Sequence, residues 1–151
     1  NSKFNINTSF ESNTSIRKLL SKIKPKNVDQ DTKNVVYKIP CECNRNYYGQ
    51  TSRPLKRRLQ EHKNSIKNQV ENYSKLSEHV IKEEHMVKWA EARIVFKEDR
   101  WKNRNLKEAA CMMVDNQSIS QPSATISPMF VPLIAQEVEE KIKHSKLFSD
   151  F

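Results

Sequence analysis

The chain has 151 residues, 27 Lys and Arg against 18 Asp and Glu, a formal charge of +9 and a single glycine. That length fits one domain with tails rather than two, no run approaches the roughly 18 apolar residues of a membrane span, and a lone Gly49 excludes the multi-glycine phosphate cradles of Rossmann and P-loop folds. Residues 1–34 are net +4, residues 35–75 net +6 and residues 76–151 net −1, so the excess charge sits in the first half, as in a polyanion binder.

Residues 1–31 are rich in Asn, Ser and Lys; Ile16, Leu19, Leu20 and Ile23 fit a short helix ending before Pro25, within a basic linker. Val35 to Ile39 (VVYKI) is β-branched and aromatic and stops at Pro40, which predicts a strand. Polar CECNRN follows, and Tyr47, Tyr48 and Gly49 form the returning strand of a hairpin with a Cys-bearing loop. Pro54 opens a helix, with Thr51 or Ser52 near its cap. Leu55, Leu59, Ile66 and Val70 share one face of it, and Arg53, Lys56, Arg57, Lys63 and Lys67 the other. A second helix is expected over 74–84, a third strand over 92–97, and a largely buried helix over 101–114 packing Leu106, Ala109, Ala110 and Met113. A loop over 115–128 precedes a charged tail helix within 135–151, from Gln136 to Phe151. The order β-β-α-α-β-α predicts an α+β fold: a small, mostly antiparallel sheet of about three strands flanked by helices.

Four groups of residues can carry chemistry. Cys41 and Cys43 face the same side of extended chain, and with His79 and His85 downstream they can complete a tetrahedral zinc site. Their C-x-C spacing is tighter than usual, and the alternative is two loop thiols and two solvent histidines. Arg58 and His62 lie four apart on one helical face; the pair suits a phosphodiester, or is a basic surface helix with an incidental histidine. Glu108, in LKEAACMMV, either holds a divalent cation with waters and substrate phosphates or reaches solvent and Arg104. Tyr37 and Tyr47 lie on paired strands, where their hydroxyls can meet or their rings simply pack. An odd number of cysteines without a signal-like segment predicts a reducing, intracellular compartment.

Together these residues resemble one family. VVY at 35–37 and YYG at 47–49, with nine residues between Tyr37 and Tyr47, resemble the paired motifs of GIY-YIG endonucleases. QTSRPLKRRLQEH, with Arg58 and His62, is similar to that family's catalytic helix, and Glu108 in KEAACMM to its metal-binding glutamate. The Cys pair between the tyrosine motifs, with the His pair before Trp89, resembles more narrowly the endonuclease domain of Penelope-like retroelements. The resemblance covers residues 32–134 and implies that the chain is a C-terminal piece of a reverse-transcriptase polyprotein, in keeping with the lack of an initiator Met.

It further implies a metal-dependent endonuclease that nicks target DNA in the nucleus by phosphodiester hydrolysis. Tyr37 or Tyr47 would position or deprotonate the attacking water, Arg58 would stabilise charge on the phosphate, and His62 would assist proton transfer. Glu108 would hold Mg²⁺ or Mn²⁺, and Cys41, Cys43, His79 and His85 a structural zinc. The DNA would lie along Arg53, Lys56, Arg57, Lys63 and Lys67, together with Lys38. The family's late asparagine is not matched: Asn116 comes early, and Ser120 stands where ISQPS aligns. Two other readings stand beside this one, a decayed zinc-containing nucleic-acid-binding module and a basic α+β interaction domain.

Overall fold

The computed structural model describes residues 31–122, 126–127 and 131–146; the short helix expected near residues 16–23 lies outside them. Three strands, β1 (Val35–Pro40), β2 (Asn46–Thr51) and β3 (Arg93–Lys97), form an antiparallel sheet in the order β2-β1-β3. The central place falls to VVYKI, the segment with enough apolar side chains to be covered on both faces. Val35, Val36, Tyr37 and Ile39 are all fully buried.

Strand alternation divides them between two cores. Val35, Tyr37 and Ile39 join Tyr47, Leu55, Leu59, Leu76 and Val80, beneath helices α1 (Leu55–Lys67) and α2 (Lys75–Glu83). Val36 joins Tyr48, Val95, Phe96, Ala109, Ala110, Cys111 and Val138, beneath α3 (Trp101–Val114) and α4 (Val131–Lys146). Single 3₁₀ turns, Glu71–Tyr73 and Trp89–Glu91, lead into α2 and β3. Ser74 caps α2 by accepting from the Ser77 N–H at 3.2 Å. The α+β class expected from the sequence is therefore present: a three-stranded antiparallel sheet with four helices among the described residues.

Several local expectations change. Helix α1 stops at Lys67, so Val70 falls outside it and is 46% exposed. On α3, Leu106 and Met113 face outward, and the buried set is Arg104, Ala109, Ala110 and Cys111. Small side chains let this helix approach the sheet closely, and Arg104 is admitted because Gln50 Oε1 (2.8 Å) and the Glu98 carbonyl (2.9 Å) accept from it. The final helix begins at Val131, five residues before Gln136, and docks on α3 and β3 with Val138 buried in the second core. Among the described residues no helix is long and apolar enough to cross a membrane.

Docking of α4 makes a direct prediction. Val138→Ala should lower stability by about 2 kcal/mol in urea denaturation, whereas Gln136→Ala on the exposed side of the same helix should leave the midpoint in place.

Candidate functional site

Tyr37 lies opposite Gly49 in the β1–β2 register. A Cβ at Gly49 would stand 2.5 Å from the Tyr37 Oη, 2.6 Å from its Cζ and 3.0 Å from Tyr47 Cε1. The lone glycine therefore serves close approach: the Tyr37 ring crosses the bare backbone of the neighbouring strand. Its φ is not positive, so conformational freedom is not the reason for it.

In this position the Tyr37 hydroxyl lies 2.9 Å from His62 Nε2 and accepts from Arg58 Nε at 3.3 Å. The Tyr47 ring packs beside it, 6.4 Å between centroids, and His62 meets both rings edge-on. Arg58 and His62 arrive together because they are one turn apart on α1. Glu108 comes from α3, near Gln50 and Arg58, and it is close enough to raise the proton affinity of Tyr37 and Tyr47. Tyr37, Tyr47, Arg58, His62 and Glu108 thus converge on one cluster.

Its electrostatics follow from burial. Burial, and then Tyr47, pushes the Tyr37 hydroxyl well above the usual tyrosine range; burial takes Tyr47 to about 12. Burial, and then the Arg58 charge, brings His62 down to about 4, so its ring is neutral at neutral pH. Burial raises Glu108 to about 7 against the opposing effect of Arg58. A single, partly desolvated carboxylate is a donor that Mg²⁺ accepts alongside waters and substrate phosphates.

The basic face is more constrained than its spacing indicates. Glu61 draws in three of its arginines: Arg53 in a fork (2.6 and 2.8 Å), Arg58 at 3.2 Å and Arg57 at 3.7 Å. Tyr73 joins them, donating to Glu61 at 3.0 Å and accepting from Arg58 Nη1 at 2.6 Å. Lys56 and Lys67 are exposed, and Lys63 Nζ sits 5.3 Å from the Trp89 ring centre. Lys38 does not belong to this surface. It points to the opposite face of β1, is 3% exposed, and lies 4.0 Å from Asp115. Glu61 was discoverable from its i+3 and i+4 spacing to Arg58 and Arg57; nothing in the local pattern marks Tyr73, which reaches the cluster through the turn before α2.

A second cluster lies at the hairpin loop. The ligand atoms of Cys41, Cys43, His79 and His85 all fall within 4.8 Å of one another. Cys43 Sγ is 3.3 Å from His79 Nε2, and His85 Nδ1 is 3.2 Å from the same nitrogen. Ligand bonds of about 2.0–2.3 Å around tetrahedral zinc place neighbouring donors roughly 3.3–3.8 Å apart, so this Cys₂His₂ group can hold a metal such as zinc.

The tight C-x-C works because the chain turns sharply there. Asn44 adopts φ 65°, its N–H bonds the Cys41 carbonyl at 3.1 Å, and the Cys41 N–H bonds the Arg45 carbonyl at 2.8 Å. Glu84, at φ 55°, ends α2 and turns the chain so that His85 comes back on His79. Two backbone bonds, Glu42 N–H to Met86 O (2.9 Å) and Lys88 N–H to Pro40 O (3.0 Å), then fasten the histidine segment to the loop.

Of the late positions, Asn116 is exposed, whereas Ser120 is buried and lines a cavity of about 390 Å³ with Arg45, His79 and Lys82, beside the second cluster. Comparisons of the chain with protein-family models, with curated proteins and with solved structures find no match.

The close approach at Gly49 is open to test. Gly49→Ala should destabilise the protein by roughly 1–3 kcal/mol in urea denaturation, the usual penalty for overpacking; an unchanged midpoint would remove the need for glycine opposite Tyr37.

Proposed function

We propose that the chain is a GIY-YIG-type endonuclease domain, of the kind carried by Penelope-like retroelements, that nicks DNA by metal-dependent phosphodiester hydrolysis. The observation that carries this reading is the Tyr37 hydroxyl, held between His62 Nε2 and Arg58 Nε in a site that also receives Glu108. In that setting the chain is joined to a reverse transcriptase, works in the nucleus, and has DNA as its partner.

The residues divide the work as follows. The neutral His62 accepts the Tyr37 proton as the tyrosine oxygen takes one from the attacking water. Arg58, already donating to that oxygen, supports its developing negative charge and turns its remaining donors to the scissile phosphate. Burial disfavours a standing phenolate, so proton transfer accompanies the attack rather than preceding it. Glu108 would hold Mg²⁺ or Mn²⁺, which when bound would supply Lewis-acid stabilisation of the phosphate. Arg53, Lys56, Arg57, Lys63 and Lys67 take the flanking phosphates, with DNA displacing Glu61 from its arginines. A structural zinc at Cys41, Cys43, His79 and His85 ties the hairpin loop to α2.

One observation favours a second reading, a zinc-containing nucleic-acid-binding module without catalysis. Ser120 stands where the family's asparagine is expected, and its hydroxyl lacks the amide's paired donor and acceptor. Both readings bind DNA, and cleavage separates them.

With Mg²⁺, the purified protein should nick supercoiled plasmid, and Glu108→Ala or Arg58→Ala should reduce the rate at least 100-fold on the scale of lost electrostatic stabilisation. Folded wild-type protein that leaves plasmid intact sinks the nuclease reading. Glu108 with a pKa of about 7 must lose its proton to bind metal, so the Mg²⁺ requirement should rise about tenfold per pH unit below that value. Saturating Mg²⁺ should restore the rate at lower pH.

Metal analysis should find one zinc per chain. Cys43→Ala should abolish it and lower the thermal midpoint, and a chelator should do the same to the wild type.

A further inference from the structure

We infer that three serine hydroxyls, Ser65, Ser77 and Ser74, form a one-way hydrogen-bond chain that holds His62 in its Nδ1–H tautomer, leaving Nε2 bare toward Tyr37. The serines are positioning residues: only Ser74 touches the imidazole, and none touches the reacting atoms. Their catalytic meaning rests on the nuclease reading above, but the tautomer itself does not.

The direction of the chain follows from counting hydrogens. The Ser65 hydroxyl lies 2.8 Å from the His62 backbone carbonyl, which can only accept. A hydroxyl has one hydrogen, so Ser65 must accept from Ser77, 2.9 Å away. Ser77 has then used its hydrogen and must accept from Ser74 at 3.0 Å. Ser74 has in turn used its own, and its oxygen faces His62 Nδ1 at 3.3 Å. Only an N–H on Nδ1 makes that contact a hydrogen bond. The second lone pair of Ser74 takes the Ser77 backbone N–H at 3.2 Å, so its capacity is filled. Running the chain the other way would leave the Ser65 and His62 oxygens 2.8 Å apart with no hydrogen between them.

The opposite edge of the ring agrees. The Tyr37 oxygen accepts from Arg58 Nε at 3.3 Å, and its own hydrogen is available for a bare His62 Nε2 at 2.9 Å. His62 and Ser77 are fully buried and Ser65 is 6% exposed, whereas Ser74 is half-buried, so bulk water is kept from the inner bonds of the chain, and burial beside Arg58 keeps the ring neutral. The same serines that fasten α1 to the start of α2 therefore set which ring nitrogen can act as a base.

The test uses the full chain with zinc supplied, labelled with ¹⁵N-histidine, without DNA. Long-range ¹H–¹⁵N correlation distinguishes the two neutral tautomers, and His62 is assigned by the signal that His62→Gln removes. The wild type should show Nδ1–H at pH 7. Tyr37→Phe should keep it, because the serines rather than the tyrosine impose it. Adding Ser65→Ala to Tyr37→Phe should admit a measurable Nε2–H population, although the Ser65 side chain does not touch the ring; Ser77→Ala in the same background serves if that variant does not fold.

Three results overturn the inference: Nε2–H in the wild type, a switch caused by Tyr37→Phe alone, or a folded double variant that stays wholly Nδ1–H. Nicking is scored separately on plasmid. An inactive protein with the Nδ1–H ring would defeat the nuclease reading and leave the serine chain standing.

Discussion

The close passage of Tyr37 over Gly49 is the contact on which the rest of the site depends. A buried phenol in the middle of a central strand needs a partner for its hydroxyl. With any side chain at position 49, Cβ would come within 2.5 Å of that oxygen. With glycine there, the ring lies across β2 and its hydroxyl reaches α1, where one helical turn supplies both an acceptor and a cation, His62 and Arg58. The cluster is thereby anchored on β1, the central strand, which is buried on both faces.

The two faces of β1 carry different work. The first, beneath α1 and α2, holds the polar cluster and continues through Ser74, Ser77 and Ser65 into the helix pair. The second is mainly apolar but also holds the buried Lys38 and Arg104; there Asp115 accepts from Tyr48 Oη at 2.6 Å and Asn46 Nδ2 at 2.8 Å and lies near Lys38. That group fastens the end of α3 to β2 and thereby steadies the helix bearing Glu108. The Cys₂His₂ cluster lies at the far end of the hairpin, beside the backbone bonds that fasten the segment after α2 to the loop. Counter-charge shapes the outer surface: Glu61 keeps Arg53, Arg57 and Arg58 assembled as one group instead of three separate cations.

Much of this was legible in the primary structure wherever local physics decides. The β-branched run of β1, the stop at Pro40, the helix after Pro54 and the 3.6-residue spacing of Arg58 and His62 depend on neighbours in sequence, and they lie where that reasoning puts them. The metal cluster was visible as residue types, although its C-x-C spacing argued against it until the left-handed Asn44 and Glu84 supplied the turns. Lys38 was misplaced because strand alternation, not charge, sets its direction, and the neighbouring Tyr37 had already claimed the other face. Leu106 and Met113 were misplaced because α3 approaches the sheet through its alanines, a choice made by close packing rather than hydrophobicity.

Propensity, periodicity and charge act over a few residues, and they account for the main elements, the residue types of both clusters and the basic character of the first half. What those residues do to one another depends on the assembled fold. The pairing of Tyr37 with Gly49, the arrival of Glu108 from a distant helix, the gathering of arginines by Glu61 and the direction of the serine chain all join segments far apart in sequence. Burial then set the protonation of His62 and Glu108, because desolvation is a property of the assembled fold and not of any stretch of chain.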